Sequence, residues 1–156
     1  MRRTLWMSAV FLAVSLSAQN YPAKKPSSSL PPSGASPTCP WLTEGSAAKV
    51  LGGEVHVILN VASALQGTCT FVKTARPKEQ LKVLVGAGNA PSCPVGSAKV
   101  IGVGDQASRC HLPHSAQMIS GNVRAVDMAI TLSGGFGNQG EDAIEQIAEQ
   151  VAGNLF

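Results

Sequence analysis

Cysteine placement constrains this chain more than any other feature. Its four cysteines, Cys39, Cys69, Cys93 and Cys110, all lie downstream of an N-terminal stretch patterned as an export leader. Arg2 and Arg3 supply a positive start, Leu5 to Leu16 an apolar core, and Ser15, Ser17 and Ala18 small residues ahead of Gln19. Those are the three parts of a cleavable secretory signal. The apolar run is shorter than the roughly 20 residues a spanning helix needs, and no cysteine follows it closely enough to carry a lipid. An even cysteine count in a chain sent out of the reducing cytosol predicts two disulfides. Four cysteines allow three connectivities, and the count alone leaves all of them open.

Residues 1–18 are thus expected to be a signal peptide. Residues 19–37 (QNYPAKKPSSSLPPSGASP) hold Pro, Ser and Lys with almost nothing to bury. Such a composition cannot offset the entropy of ordering, so it is expected to be a disordered linker. One domain, 38–156, remains, a length that suits a single core. The division changes the charge argument. The chain carries a formal +3, but Arg2, Arg3, Lys24 and Lys25 all precede the domain, which itself holds eight Lys plus Arg against nine Asp plus Glu. A nucleic-acid surface needs basic residues gathered on a folded face, so no nucleic-acid partner is expected. Lys73, Arg76, Lys78 and Lys82 cluster around a turn and read as solvated, with contact to an anionic surface as the sharper alternative.

The periodicities predict an α+β domain. Thr43 is placed to cap a helix over Glu44–Leu51, closed by Gly52-Gly53. Alternation of Val55, Val57, Leu59 and Val61 predicts a strand over Glu54–Val61. Thr68–Lys73 and Gln80–Ala87 read as a hairpin turning at Arg76-Pro77-Lys78. A helical turn is expected near Val95–Val100, and Ala107–Leu112 is a further candidate strand. Ala116–Ile119 and Val123–Ser133 then pair across Ser120-Gly121-Asn122. Ile144, Ile147, Ala148, Val151 and Leu155 recur at helical spacing, with Asn138 and Glu141 as a capping pair. The expected architecture is an antiparallel sheet of about five strands, with a short N-terminal helix and a C-terminal amphipathic helix packed on it.

No motif in the chain brings a chemistry with it. Gly135-Phe136-Gly137-Asn138-Gln139-Gly140 spells the dinucleotide fingerprint between a strand and a helix. That unit, however, needs a following parallel strand and an acidic residue about 20 positions on, and the sequence stops at Phe156. It reads as a flexible connection. His111 and His114, with His56 elsewhere, lack the further ligands zinc requires. Cys110 and His111 point to opposite faces of a strand, and no Gly-x-Ser-x-Gly elbow is present. No catalytic, cofactor-binding or metal-ligating residue is therefore assigned, and no cofactor is expected. Trp41 beside Cys39 reads as packing against a disulfide.

Cys39-Pro-Trp-Leu-Thr43, Lys49-Val-Leu-Gly-Gly53, Thr68-Cys-Thr-Phe71, Gly102-Val-Gly-Asp-Gln-Ala107 and Asn122-Val-Arg-Ala-Val-Asp127 together resemble a family of small bacterial exported domains and lipoproteins of unknown function. Its members open with Cys-x-Leu-Leu-Thr, run a helix to Leu-Gly, and set a second cysteine before an aromatic. The chain departs from it in lacking the lipid-attachment cysteine and in adding Cys93 and Cys110. The resemblance implies a Cys39–Cys69 disulfide tying the start of the first helix to the second strand. Cys93–Cys110 would then clip the Gly/Pro-rich loop to the strand after it. Each bond is expected to stabilise by about 3 kcal/mol in the chain-entropy model. The implied location is secreted or periplasmic, without a transmembrane span once the leader is removed. Two function classes fit: a non-catalytic envelope or secreted module that binds a protein, lipid or small ligand, or an exported hydrolase or metal-dependent enzyme. The missing motifs favour the first.

Overall fold

The computed structural model of the protein describes residues 38–86, 91–136 and 139–155, all within the unit Ser36–Phe156. The leader, the linker, Ala87, Asn138 and Phe156 lie outside them.

Helix α1 spans Glu44–Leu51, and its boundaries follow from its ends. The Thr43 side chain accepts from Ser46 N–H, and Gly52 closes the helix at φ 65°, the left-handed position where glycine costs least. Its buried residues Ala47 and Leu51 point into the core. Helix α2, Gln139–Gly153, buries Ile144, Ile147, Ala148, Val151 and Ala152 as the helical spacing requires. Gln150 Nε2 donates to Ser46 Oγ at 3.1 Å, tying α2 to α1, and Asn154 Nδ2, just past α2, donates to Trp41 O, just before α1, at 2.9 Å.

Between the helices, among the described residues, the chain makes seven strands rather than about five. They are β1 Val55–Ser63, β2 Gln66–Lys73, β3 Gln80–Val85, β4 Ala98–Val100, β5 Gln106–Leu112, β6 Ala116–Val123 and β7 Val126–Ser133. All adjacent pairs are antiparallel, in the order β1-β2-β3-β7-β6-β5-β4. Two local expectations fail, and the first of them adds a strand. The expected helical turn at Val95–Val100 is a turn followed by β4: Ser97 N–H bonds Pro94 O at 3.2 Å. Gly96, at φ 90°, supplies the positive φ that the third position of a type II turn needs.

The second misreading is Ser120-Gly121-Asn122, which is strand and not turn. A Cβ on Gly121 would sit 2.7 Å from Gln106 O, so glycine here lets β6 lie close against β5. The hairpin instead turns at Arg124-Ala125, φ 48° and 66°. Positive φ at both central residues is usually left to Asn-Gly. Here side chains compensate: Asn122 Oδ1 accepts from Ala125 N–H at 3.0 Å, and Asp105 Oδ2 from Arg124 N–H at 2.9 Å.

The two faces of the sheet differ. Cys69, Phe71, Leu81, Val83, Met128, Ile130, Leu132 and Ile119 join the helices in the main core. The Cys39–Cys69 disulfide (Cα–Cα 6.0 Å) belongs to it. Trp41 lies in the same core, its Nε1 donating to Ala64 O at 2.6 Å. The opposite face carries a smaller cluster of Cys110, Met118 and Ala129 with Cys93 and Leu112, stapled by Cys93–Cys110 (Cα–Cα 5.7 Å). Both pairings are the expected ones: Cys39–Cys69 is the one the resemblance implies, and Cys93–Cys110 joins the two cysteines that depart from it. Among the described residues no helix is long and apolar enough to cross a membrane.

Candidate functional site

The sheet register gathers four connections at one end: α1 to β1, β2 to β3, β5 to β6, and β7 to α2. Because Gln80 pairs with Ser133 and Gln117 with Leu132, the turn before β3, the residues after β7 and the start of β6 become neighbours. Between them opens a groove of about 780 Å³.

Its floor and walls are largely apolar or small: Pro77, Pro113, Ala116, Gly134 and Gly135. Gly134, at φ 131°, leaves no room for a side chain, since a Cβ would meet the Phe136 ring at 2.8 Å and Glu79 Cγ at 2.9 Å. Polar groups sit at the rim. Arg76, Lys78 and Glu79 come from the β2–β3 turn and His114 and Ser115 from the β5–β6 connection. Glu79 is the single carboxylate among the lining residues. It is held by Lys73 Nζ at 2.7 Å and Arg76 Nη1 at 2.9 Å, and those hydrogen bonds, Lys73 first, keep its pKa below the ordinary carboxylate value. The same hydrogen bond with Glu79 raises the pKa of Arg76. Lys78 is exposed and makes no ion pair among the described residues, so the rim carries surplus positive charge.

The far wall is conformationally strained. His114 (φ 61°, ψ 35°) and Ser115 (φ 60°) are consecutive non-glycine residues in left-handed backbone. Such a conformation costs roughly 1–2 kcal/mol per residue and gathers at functional sites.

The titratable residues singled out in the sequence do not converge. His114 lines the groove. His111 lies on the helix side of β5, Nε2 3.7 Å from Glu141 Oε1, beside Arg109, which bonds Glu141 and Glu145 at 3.2 and 2.6 Å. Cys110 points to the opposite face, as neighbours on a strand must. His56 stands exposed on β1. Asp105 caps the β6–β7 turn, and Asp127 accepts from Asn122 Nδ2 at 2.9 Å. Asp127 lines a second, polar cleft of about 660 Å³ bordered by Lys99, Ser108 and Ser120. Among the described residues no group of three or more His, Cys, Asp or Glu could hold a metal. Of the glycine motif, Gly135 borders the groove and Gly140 lies in the first turn of α2, while Gly137 and Asn138 lie outside the described residues.

The Lys73, Arg76 and Lys78 cluster was visible in the sequence, but its opposing wall was not. Pro113–Ala116 and Ser133–Gly135 reach it through pairing between strands distant in the chain. No protein-family model, curated protein or solved structure matches the chain.

Proposed function

We propose that this chain is a bacterial exported, non-catalytic binding module, working in the periplasm or outside the cell. Its groove takes an amphiphilic anion, an apolar body carrying one carboxylate or phosphate. The observation that carries this reading is the division of labour around the groove. Proline, alanine and glycine make the walls, Arg76, Lys78 and His114 stand at the rim, and the lone carboxylate is neutralised by Lys73 and Arg76. Pockets that bury an apolar body and orient it with a few polar groups are the usual form of small-ligand sites. The leader pattern and the two disulfides support export, and the resemblance to small bacterial exported domains is part of the same proposal.

The test is a titration with dodecyl phosphate below its micelle concentration, followed by amide shifts in two-dimensional NMR. Shifts should concentrate at His114, Ser115, Gly134 and Gly135. Lys78→Glu should weaken binding by about fivefold, the scale of one exposed charge. Equal shifts with uncharged dodecyl maltoside, or shifts confined to other regions, would overturn the reading.

A further inference from the structure

We propose that the free edge of β1 joins a second copy of this chain, the two sheets pairing antiparallel about a two-fold axis at Ile58. The surface is separate from the groove and independent of what the groove binds.

An unpaired edge offers a row of N–H and C=O groups that templates another strand, and folded proteins guard against this with short strands, lysine or proline. The β4 edge is guarded: it has three residues, one of them the exposed Lys99. β1 is open. Its nine residues, VHVILNVAS, include no proline and no Asp, Glu, Lys or Arg, and its one irregularity falls late, between Val61 and Ser63. Exposed apolar side chains concentrate beside it. Among the described residues, Ile58 (56 % exposed), Val61 (36 %) and Leu65 (52 %) make up three of the five large exposed hydrophobics.

The ladder with β2 fixes which amides are free. Thr74 N–H bonds Glu54 O at 2.9 Å, so 54 and 74 form a hydrogen-bonded pair. Bonded and non-bonded pairs alternate along an antiparallel ladder. His56, Ile58 and Asn60 therefore turn their amides to β2, while Val55, Val57, Leu59 and Val61 turn theirs outward. A two-fold axis at Ile58 matches these outward groups to one another: Val57 bonds Leu59 of the partner subunit, and Val55 bonds Val61 of the partner subunit. Ile58 then faces Ile58 of the partner subunit as a non-bonded pair, the arrangement that brings side chains closest.

Charge favours a copy of the same strand. β1 has no Asp, Glu, Lys or Arg with which to select a charged foreign peptide. The antiparallel register also sends the two Glu54 carboxylates to opposite ends of the ladder, where parallel pairing would stack them. The paired stretch is short against a standard interface of about 1,600 Å², so the association should be reversible and concentration-dependent.

Sedimentation of the full chain from about 10 μM to about 1 mM, a range that brackets weak interfaces, should show its average mass climbing toward twice the monomer value. Ile58→Lys sets like charges face to face across the axis. It should remain monomeric throughout, with a thermal midpoint within about 2 °C of the parent because the side chain is exposed. Val61→Pro removes an outward donor at a position an edge strand tolerates, and should weaken association at least about fivefold. It decides the matter alone should Ile58→Lys fail to fold. In the parent, hydrogen exchange at Val57 and Leu59 should slow as concentration rises. A parent that stays monomeric overturns the proposal, as does an Ile58→Lys variant that dimerises like the parent. So does protection of those amides that ignores concentration, which would mean that another segment of the same chain takes the edge.

Discussion

The two faces of the sheet carry one disulfide each, and the bonds do different work. On the helix side, Cys69 is fully buried among Phe71, Leu81 and Ile130, so the crosslink is one more packed group in a core that two helices already close. On the other side, among the described residues, no helix covers the sheet. The segment before β4 is pinned across β5 and β6 by Cys93–Cys110, over little more than Met118, Ala129 and Leu112. There the covalent bond is a principal fastening of the segment to the sheet, holding Cys93 against the small cluster under it. A crosslink counts for more than loop closure only where the packing around it depends on it.

The largest expected effect lies at the bonds themselves. Loop length alone makes them nearly equal: separations of 30 and 17 residues give about 3.5 and about 3 kcal/mol in the chain-entropy model. Burial makes them unequal. Cys39→Ala with Cys69→Ala adds a cavity in the main core and should lose about 5 kcal/mol in urea unfolding. Cys93→Ala with Cys110→Ala should lose about 3 kcal/mol. Equal losses would mean that loop entropy accounts for both.

A smaller effect sharpens the same contrast without touching a crosslink. Phe71, fully buried on the helix side, should cost about 4 kcal/mol when changed to Ala. Lys82 is exposed on the opposite face of neighbouring β3, and Lys82→Ala should stay within about 0.5 kcal/mol. Paired denaturation curves check both.

The smallest effect leaves both faces intact and moves only the rim. Glu79 is held below its ordinary pKa of 4.5 by Lys73 and then Arg76. A depressed carboxylate stabilises the fold above its unfolded pKa, and that stabilisation disappears as pH falls through the folded value. Stability should thus decline below about pH 4.5. Glu79→Gln should flatten that part of the profile without changing the urea slope, as read from denaturation midpoints between about pH 3 and pH 7.

Legibility followed the range of the forces involved. Helix α1 was readable to the residue because Thr43 and Gly52 set its ends through local backbone chemistry. The apolar stripe of α2 and the alternation in β7 were equally local. Gly121 misled because a glycine that admits a neighbouring strand looks in sequence like a glycine that admits a turn. Arg124-Ala125 was missed because it borrows its stability from Asn122 and, across the sheet, from Asp105. The groove was half legible. Its cationic rim lies within a few residues, whereas its other wall arrives only through β3–β7 and β6–β7 pairing.

The strand order has a consequence for how the chain reaches this state. β1, β2 and β3 form one run of sequence-local hairpins, and β4 to β7 form another. They meet along a single ladder, β3–β7, whose partners stand 43 positions apart at Val85–Met128 and 53 apart at Gln80–Ser133. Closing that ladder is where most of the loop entropy must be surrendered, so it is the slow step that topology imposes. Neither disulfide crosses it. Cys39 and Cys69 fall wholly in the first run with α1, and Cys93 and Cys110 in the second with the segment that leads into it. Each half of the chain carries a complete cysteine pair, so oxidation can finish by short-range encounters while the halves are still strangers, and a mispaired bond would have to reach across the ladder that forms last.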